Sequence, residues 1–478
     1  VTPAHSPTPG SREAALARLA AGEVAVIGLA RSGVAAAQLA ARAGASVYAS
    51  DAAPRPGDEP GAAGGAPDRL AMMGIHAQWG GHDLERIARA ALVVVSPGVP
   101  PDAPPVAAAR AAGVPVVSEV ELALWFLPAT RLIAVTGTNG KSTVTALVAH
   151  LLQAAGADAL AAGNIGLALS ELALRAAAPA WVALEVSSFQ LHDTASLAPA
   201  VGVLTNLSPD HLDRYATLEE YYADKDRLFL NATPASVWVT NADDAEVVRR
   251  TARVPGTHRR FSVNGLDVDA FFDEAHDAVH LLGAPLLAAA ELPLIGRHNV
   301  ANALAAVLAV ASADPAFGSP VAREALVAGL RSFRGLPNRL EVVAERDGVL
   351  WINDSKATNV ASARVAIDGM TRPAVVLMGG RHKGESYASL AGPLARHARR
   401  VIAYGEAADQ IVADLEGAGK GVAVERLGSS FEEVVARARE VAQPGDAVLL
   451  SPACSSFDMF RNYEERGEAF RRLARGDA

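Results

Sequence analysis

Between Val135 and Thr143 the chain reads Val-Thr-Gly-Thr-Asn-Gly-Lys-Ser-Thr, which sets two glycines, a lysine and two adjacent hydroxyls where an apolar stretch, Leu132 to Val135, ends. Beyond it Val144, Leu147, Val148, Leu151 and Leu152 recur at helical spacing. A glycine loop opening a helix presents backbone N–H groups and the positive end of the helix dipole, so this segment is a polyphosphate cradle. Lys141 stands where it can meet the transferred phosphate, and Ser142 or Thr143 where a hydroxyl can hold Mg²⁺. The pattern is a shortened one, Gly137-x-x-Gly-Lys-Ser-Thr, with Val135 at the place of the first glycine of the strict phosphate loop. The alternative is a plain glycine turn beside an exposed lysine.

Three further segments could act with this loop. Glu185 closes the apolar run Trp181-Val-Ala-Leu; a buried carboxylate without a partner is costly, so a cation is expected beside it, either nucleotide-borne Mg²⁺ or a basic side chain. Thr205 to Tyr215 follows another apolar run and carries Asp210, His211 and Asp213, a density of ligands that points to metal-assisted phosphoryl transfer. Lys225 shares a helical face with Tyr221, Tyr222, Leu228 and Phe229; taken alone it reads as a lysine whose stem lies on a packed surface and whose head stays in water.

These groups need a scaffold, and the rest of the chain supplies one. Its 478 residues exceed what one core holds, so two or three domains are expected. Half the residues are apolar, but the richest run, Ala301 to Ala313, is too short to span a bilayer and contains Asn302. Val1 to Arg12, rich in Pro, Thr and Ser, reads as a loose leader without signal-peptide character. A single cysteine, Cys454, excludes internal disulfides and fits the reducing cytoplasm; Pro452 and Ser455 give it no base, so it reads as structural. A net charge of −9 without a basic block excludes nucleic acid as the main partner, leaving anionic ligands to be held locally.

Val24 to Gly28, a helix through Val34 to Ala43 and a strand from Ser46 to Ser50 ending at Asp51 form a nucleotide-type βαβ opening. Its Gly28-Leu-Ala-Arg-Ser-Gly33 turn has Ala30 in place of the middle glycine of the dinucleotide fingerprint, which counts against NAD and a Rossmann oxidoreductase. Ala91 to Val95 runs into Ser96-Pro-Gly98, a turn that either caps a helix or faces a ligand phosphate. Strands at 181–186, 201–205, 349–353, 374–378, 400–404 and 447–450 alternate with helix-length stretches. That alternation predicts an α/β protein with mainly parallel, doubly wound sheets whose ligands sit beyond the carboxyl ends of the strands. The expected domains are 1–128, with 1–20 as leader, 129–335 and 336–478.

With Gly163-Asn-Ile-Gly166, Glu185-Val-Ser-Ser-Phe-Gln-Leu191, Asp210-His-Leu-Asp-Arg-Tyr215, Gly296-Arg-His-Asn-Val-Ala-Asn302, Gly335-Leu-Pro-Asn-Arg339, Asn353-Asp-Ser-Lys-Ala-Thr-Asn359 and Ser451-Pro-Ala-Cys-Ser-Ser-Phe-Asp458 added, the chain resembles the Mur ligases over nearly its whole length after the leader. The phosphate loop and His-Asn-x-x-Asn are shared with folylpolyglutamate synthases. Ser-Ser-Phe-Gln-Leu, Asp-Ser-Lys-Ala-Thr-Asn and Ser-Pro-Ala-Cys narrow the match to the branch that adds D-glutamate. The resemblance implies a Rossmann-like UDP-substrate domain, a central P-loop-type ATPase domain and a Rossmann-like amino-acid domain. It implies a monomeric cytoplasmic enzyme of peptidoglycan synthesis and cell-wall biogenesis that joins D-glutamate to UDP-N-acetylmuramoyl-L-alanine through an acyl phosphate, using ATP and two Mg²⁺ ions.

By motif, the resemblance implies that Gly137, Thr138, Asn139, Gly140, Lys141, Ser142, Thr143, Asn299, Asn302, Arg339 and Asp354 bind ATP, with Lys141 on the γ-phosphate. Ser142 and Glu185 would hold one Mg²⁺ and His211 a second, and Lys225 would carry a CO₂-derived carbamate that helps position metal. Arg31, Ser32, Asp51, Ser96, Pro97, Gly98, Asn164, Ser187 and Ser188 would meet the UDP substrate; Thr358, Lys383, Ser456 and Phe457 would receive D-glutamate. Two segments depart from the family pattern. Arg381-His382-Lys383 follows Gly379-Gly380, where an acidic residue is common, and Ala52-Ala53 follows Asp51 without hydroxyl or base. Other readings are another Mur or folylpolyglutamate-type ligase, although the Asp-Asn-Pro-Arg of diaminopimelate-adding relatives is absent, and a binding protein gated by ATP hydrolysis.

Overall fold

Apolar strands alternating with amphipathic helices force parallel pairing through helical crossovers, and here they build three separate sheets. The computed structural model describes residues 12–55, 66–210, 214–428 and 430–476. Contacts divide the chain into two units, Val1–Ala289 with Ala301–Leu330, and Ala290–Val300 with Arg331–Ala478.

In the first unit, strands β1 (Val24–Ile27), β2 (Val47–Asp51), β3 (His76–Trp79), β4 (Leu92–Val95) and β5 (Val116–Ser118) form an all-parallel sheet in the order β3-β2-β1-β4-β5. This is the Rossmann-like arrangement, with the order reversing between β1 and β4. The second sheet contains β6 (Arg131–Thr136), β7 (Ala159–Gly163), β8 (Trp181–Glu185), β9 (Val201–Leu204), β10 (Val237–Asn241), β11 (Thr257–Ser262), β12 (Ala270–Asp273), β13 (Ala278–Leu281) and β14 (Ala284–Ala288). Its order is β14-β13-β12-β11-β10-β9-β6-β8-β7. Because β6 lies between β8 and β9, with Val135 opposite Glu185 and Thr136 opposite Leu204, three strand ends open side by side. One apolar core runs through both sheets, and Trp125, Leu127 and Leu132 carry it across the expected boundary at residue 128.

The second unit holds β15 (Glu341–Arg346), β16 (Val349–Asn353), β17 (Ala374–Gly379), β18 (Ala398–Tyr404), β19 (Val424–Arg426) and β20 (Ala447–Leu450), in the order β15-β16-β20-β17-β18-β19. Val376, Met378 and Leu449 pack on one face, and Val375, Leu377, Val448 and Leu450 on the other. Burial on both faces explains why these strands read as continuous apolar runs.

One feature corrects the expectations from sequence. Residues 12–20, assigned with the leader, form a helix, Arg12–Ala20, whose Leu19 is buried in the core; residues 1–11 lie outside the described residues. The sheets are mainly parallel, as expected, with β12–β13–β14 and β15–β16 pairing antiparallel. Leu282-Gly283 and Asp347-Gly348 have φ values of 50°, 82°, 54° and 75°, the left-handed pairs that two-residue hairpin turns require. Among the described residues no helix is long and apolar enough to cross a membrane.

Glu119 opens a short helix, Glu119–Leu124, and is fully buried. Its Oε1 accepts from the Ser170 backbone N–H at 2.5 Å, whereas Oε2 has no hydrogen-bond partner among the described residues. Burial pushes this carboxyl up to about 7, so between pH 4.5 and 7 the folded chain keeps a proton that the unfolded chain has lost. Stability therefore falls as pH rises through that window, by up to about 3 kcal/mol. Glu119→Gln imitates the protonated group. Its thermal midpoint is expected to match the native protein at pH 5 and exceed it at pH 8.5, and equal midpoints at both pH values would contradict this.

Candidate active site

The β6 strand delivers Thr136 to a loop whose two glycines hold conformations that side chains disfavour, φ 142° at Gly137 and 82° at Gly140. A Cβ on Gly137 would lie 2.1 Å from Thr205 Oγ1, and one on Gly140 2.3 Å from Asn302 Oδ1, so both must be glycine. Helix Lys141–Ala154 begins directly after Gly140 and aims its N-terminus at the loop. The segment after β9 braces the loop: Asn206 Oδ1 accepts from Asn139 N at 2.8 Å, Thr205 Oγ1 donates to Asn139 O at 2.7 Å, and Ser208 N donates to Thr138 Oγ1 at 3.0 Å. Lys141 Nζ donates to the Gly137 and Thr138 carbonyls at 3.0 and 2.7 Å. Ser142 and Thr143 are buried at the helix start. The array brings together the glycine turn, helix start and lysine that an anion cradle requires.

At the neighbouring strand end Glu185 is 2% exposed. Its Oε1 accepts from Asn164 Nδ2 at 2.9 Å, and its buried Oε2 has no hydrogen-bond partner among the described residues. Among the described residues no basic side chain forms a salt bridge with it. Lys225 corrects the reading from sequence pattern. It is 1% exposed, with Nζ donating to Gly137 O at 2.8 Å and lying 4.5 Å from the Tyr221 ring centroid. Its head turns inward because the phosphate loop packs over it. Burial, and then the charge of Lys141, hold its amine well below the ordinary lysine range. The amine heads of Lys141 and Lys225 thus converge on one carbonyl oxygen. His211 lies outside the described residues. Among the described residues no three His, Cys, Asp or Glu side chains cluster as a metal cage.

Beyond the carboxyl ends of the first sheet lies a cavity of about 710 Å³, whose walls include Arg31, Ser32, Asp51, Ser96, Pro97, Gly98 and Asn164. Seven residues assigned to the UDP substrate are thereby gathered. Arg31 donates to both carboxylate oxygens of Glu171 and to Gly166 O. Asp51 accepts from the Leu29 and Ala53 N–H groups, and Ser96 Oγ donates to Gly28 O. Ser187 and Ser188 are absent from these walls; Ser187 caps helix Ser188–His192 in a capping box with Gln190.

In the second unit, Lys383 Nζ donates to Thr358 Oγ1 at 3.3 Å, bringing together two residues assigned to D-glutamate. Ser456 is buried nearby in sequence to Phe457, which is 62% exposed. Arg381 and His382 have local roles: Arg381 pairs with Ser455 through its backbone and with Glu406 through its side chain, and His382 Nδ1 lies 3.0 Å from Tyr387 OH. Tyr387 OH also lies 3.0 Å from Cys454 Sγ, and burial raises that thiol to about 11, matching a structural cysteine. Asp354 is buried, accepts from Leu340 N and Ser451 Oγ, and is pushed up to about 7 by burial. Asn299 donates to Ile295 O in this unit, whereas Asn302 belongs to the first. Arg339 is half-buried in the second unit.

Sequence reasoning missed Arg466. It is fully buried and donates to Ser355 O and Oγ, Gly379 O and Cys454 O. One guanidinium thereby ties together the loops after β16, β17 and β20. Ser355 and Gly379 lie 111 and 87 residues away in sequence, so no local pattern signals it.

Family models match in chain order: a Mur ligase MurD-like N-terminal domain over residues 22–118, a Mur ligase middle domain over 135–310, and a Mur ligase glutamate ligase domain over 338–454. A UDP-N-acetylmuramoylalanine–D-glutamate ligase from Chromobacterium violaceum is 42% identical, the match covering 94% of this chain and 96% of that protein. The chain belongs to the Mur ligase family. A second relative of the same description, from Acidobacterium capsulatum, is 40% identical over 94% of this chain and 95% of its own length. Among solved structures, the UDP-N-acetylmuramate-alanine ligase MurC of Thermotoga maritima aligns with a TM-score of 0.58 at 19% identity, over 95% of this chain and 100% of that one. This Mur ligase therefore shares its three-sheet α/β fold with relatives of much lower sequence identity.

Proposed function

We propose that this Mur ligase uses ATP to join D-glutamate to UDP-N-acetylmuramoyl-L-alanine in cytoplasmic peptidoglycan synthesis. The observation that carries the reading is the position of Asn164, which lines the 710 Å³ cavity and also donates to Glu185 beside the phosphate loop. A substrate anchored in the cavity can thus present its carboxylate where a nucleotide's terminal phosphate is held. The proposed division of labour is residues 1–128 for the UDP substrate, 129–335 for ATP and 336–478 for the amino acid.

A carboxylate does not acylate an amine at neutral pH, so it must first be activated. Its oxygen forms a bond to the γ-phosphorus of ATP as the bridging P–O bond breaks and ADP departs. The amine of D-glutamate then attacks the acyl carbon, phosphate leaves with the bonding electrons, and the amine loses a proton. Lys141 and the N–H groups of the loop offset negative charge on the moving phosphoryl group. Bound Mg²⁺ supplies further positive charge there, and Ser142, Glu185, His211 and a carbamylated Lys225 would hold the two ions. The unpartnered buried oxygen of Glu185 fits that role. Asn299, Asn302, Arg339 and Asp354 are each further proposed to bind the nucleotide.

The proposed carbamate rests on the burial of Lys225 beside the phosphate loop, which lowers the pKa of its amine. An uncharged Nζ can form a bond to the carbon of CO₂ with loss of one proton, and the product keeps an N–H that can still donate to Gly137 O. A cation that repels Mg²⁺ becomes an oxygen donor.

The test is phosphate release with UDP-N-acetylmuramoyl-L-alanine and a panel of D- and L-amino acids. Turnover that requires D-glutamate is expected; ATP hydrolysis indifferent to any acceptor would contradict the ligase reading. Lys383, Thr358, Ser456 and Phe457 are proposed to select D-glutamate, since a cation and hydroxyls suit its carboxylates. Lys383→Met is expected to raise the D-glutamate KM about tenfold or more while leaving the ATP KM within about twofold. Equal shifts in both constants would contradict it.

A further inference from the structure

We propose that His82 reads the nucleobase of the UDP substrate, donating from Nε2–H to the O4 carbonyl oxygen of uracil. The inference rests on the functional reading above and assigns a specificity residue within it.

The cavity wall orders its chemistry along the first sheet. The turn after β1, with the N-terminus of helix Arg31–Arg42, suits phosphate; Asp51 closes the adjacent β2; the loop after β3 comes next in the order β3-β2-β1. A nucleotide laid outward from its phosphates therefore reaches the loop after β3 with its base. His82 lies three residues beyond β3 and lines the cavity.

Its ring orientation follows from one hydrogen bond. His82 Nδ1 lies 2.8 Å from Ser50 Oγ, and Ser50 is fully buried, with no other side-chain partner among the described residues. The buried hydroxyl needs an acceptor, and Nδ1 accepts only in the tautomer that carries its proton on Nε2. Burial lowers the His82 pKa and favours the neutral ring. Nε2–H is then a fixed donor at the wall, without a partner among the described residues.

The other large polar groups of the wall are already engaged. Arg31 is held by Glu171 and Gly166 O, Asp51 by two backbone N–H groups, Ser96 by Gly28 O and Asn164 by Glu185. Uracil presents a carbonyl oxygen at position 4, where cytosine presents an amine. A fixed donor accepts the first and opposes the second.

The experiment is calorimetric titration of the full chain with UDP and with CDP, using the native protein, His82→Leu, His82→Gln and Ser50→Ala, with thermal midpoints recorded for each. The native protein is expected to bind UDP at least about tenfold more tightly than CDP. His82→Leu should lose most of that ratio through weaker UDP binding, His82→Gln should retain part of it through its amide donor, and Ser50→Ala should lower it by freeing the tautomer. KM for ATP and D-glutamate should stay within about twofold. An unchanged UDP-to-CDP ratio in a folded His82→Leu, or a native protein that does not distinguish the two nucleotides, would overturn the assignment. Native turnover with UDP-N-acetylmuramoyl-L-alanine, measured in parallel, separates the failures: turnover with an unaltered ratio removes His82 alone, whereas no turnover removes the functional reading and His82 with it.

Discussion

Lys141→Ala is expected to lower turnover at saturating ATP by at least about a hundredfold, equivalent to roughly 2.7 kcal/mol of barrier. Lys141 Nζ is tethered to the Gly137 and Thr138 carbonyls, so it is held over the cradle before any phosphate arrives. A preset charge of this kind acts on the transition state with little reorganisation. The lysine is only half-buried, and its removal should shift the thermal midpoint little. Loss of turnover without loss of folded protein is therefore the expected signature. A variant with near-native turnover at saturating ATP would remove Lys141 from the phosphoryl-transfer step.

The phosphate loop was legible because its parts are adjacent in sequence. Two glycines, a lysine and two hydroxyls between an apolar run and a helical period have one economical reading, and the observed strand Arg131–Thr136 and helix Lys141–Ala154 match it. The burial of Glu185 was legible for a similar reason: it closes an apolar strand, and the structure leaves it 2% exposed. Lys225 was not. Periodicity placed it on an apolar helix face, but a snorkelling lysine and a buried one share that pattern, and what decides is Gly137, 88 residues away in sequence.

The same distance hid His82, whose partner Ser50 is 32 residues earlier, and Arg466, whose partners Ser355 and Gly379 are 111 and 87 residues away. Antiparallel pairing was missed for a local reason. Asp347-Gly348 is a recognisable hairpin pair, but Leu282 at φ 50° is a residue type that disfavours the left-handed region, so its turn carries half the usual signal. Helix Arg12–Ala20 was overlooked because its alanine-rich sequence has few large apolar residues to mark a period, although Leu19 enters the core.

Lys225→Ala is expected to lose most activity, by about a hundredfold or more, while Lys225→Arg should do no better because a permanent cation would remain near Lys141. Both amine heads now reach Gly137 O, at 2.8 Å from Lys225 and 3.0 Å from Lys141. Burial, and then the charge of Lys141, lower the Lys225 pKa, which favours the uncharged amine that CO₂ requires. A carbamate reverses the local charge, so alanine removes an anion where Mg²⁺ is proposed to sit, and acetate or formate should restore part of the lost turnover by filling the vacated volume. The direct measurement is ¹³C NMR of native protein equilibrated with labelled bicarbonate. A protein-bound carbamate resonance that disappears in Lys225→Ala is expected. Fully active native protein without that resonance would refute the modification. Lys225 would then be a buried lysine that supports the phosphate loop through Gly137 alone, and in that case carboxylic acids should give Lys225→Ala no rescue.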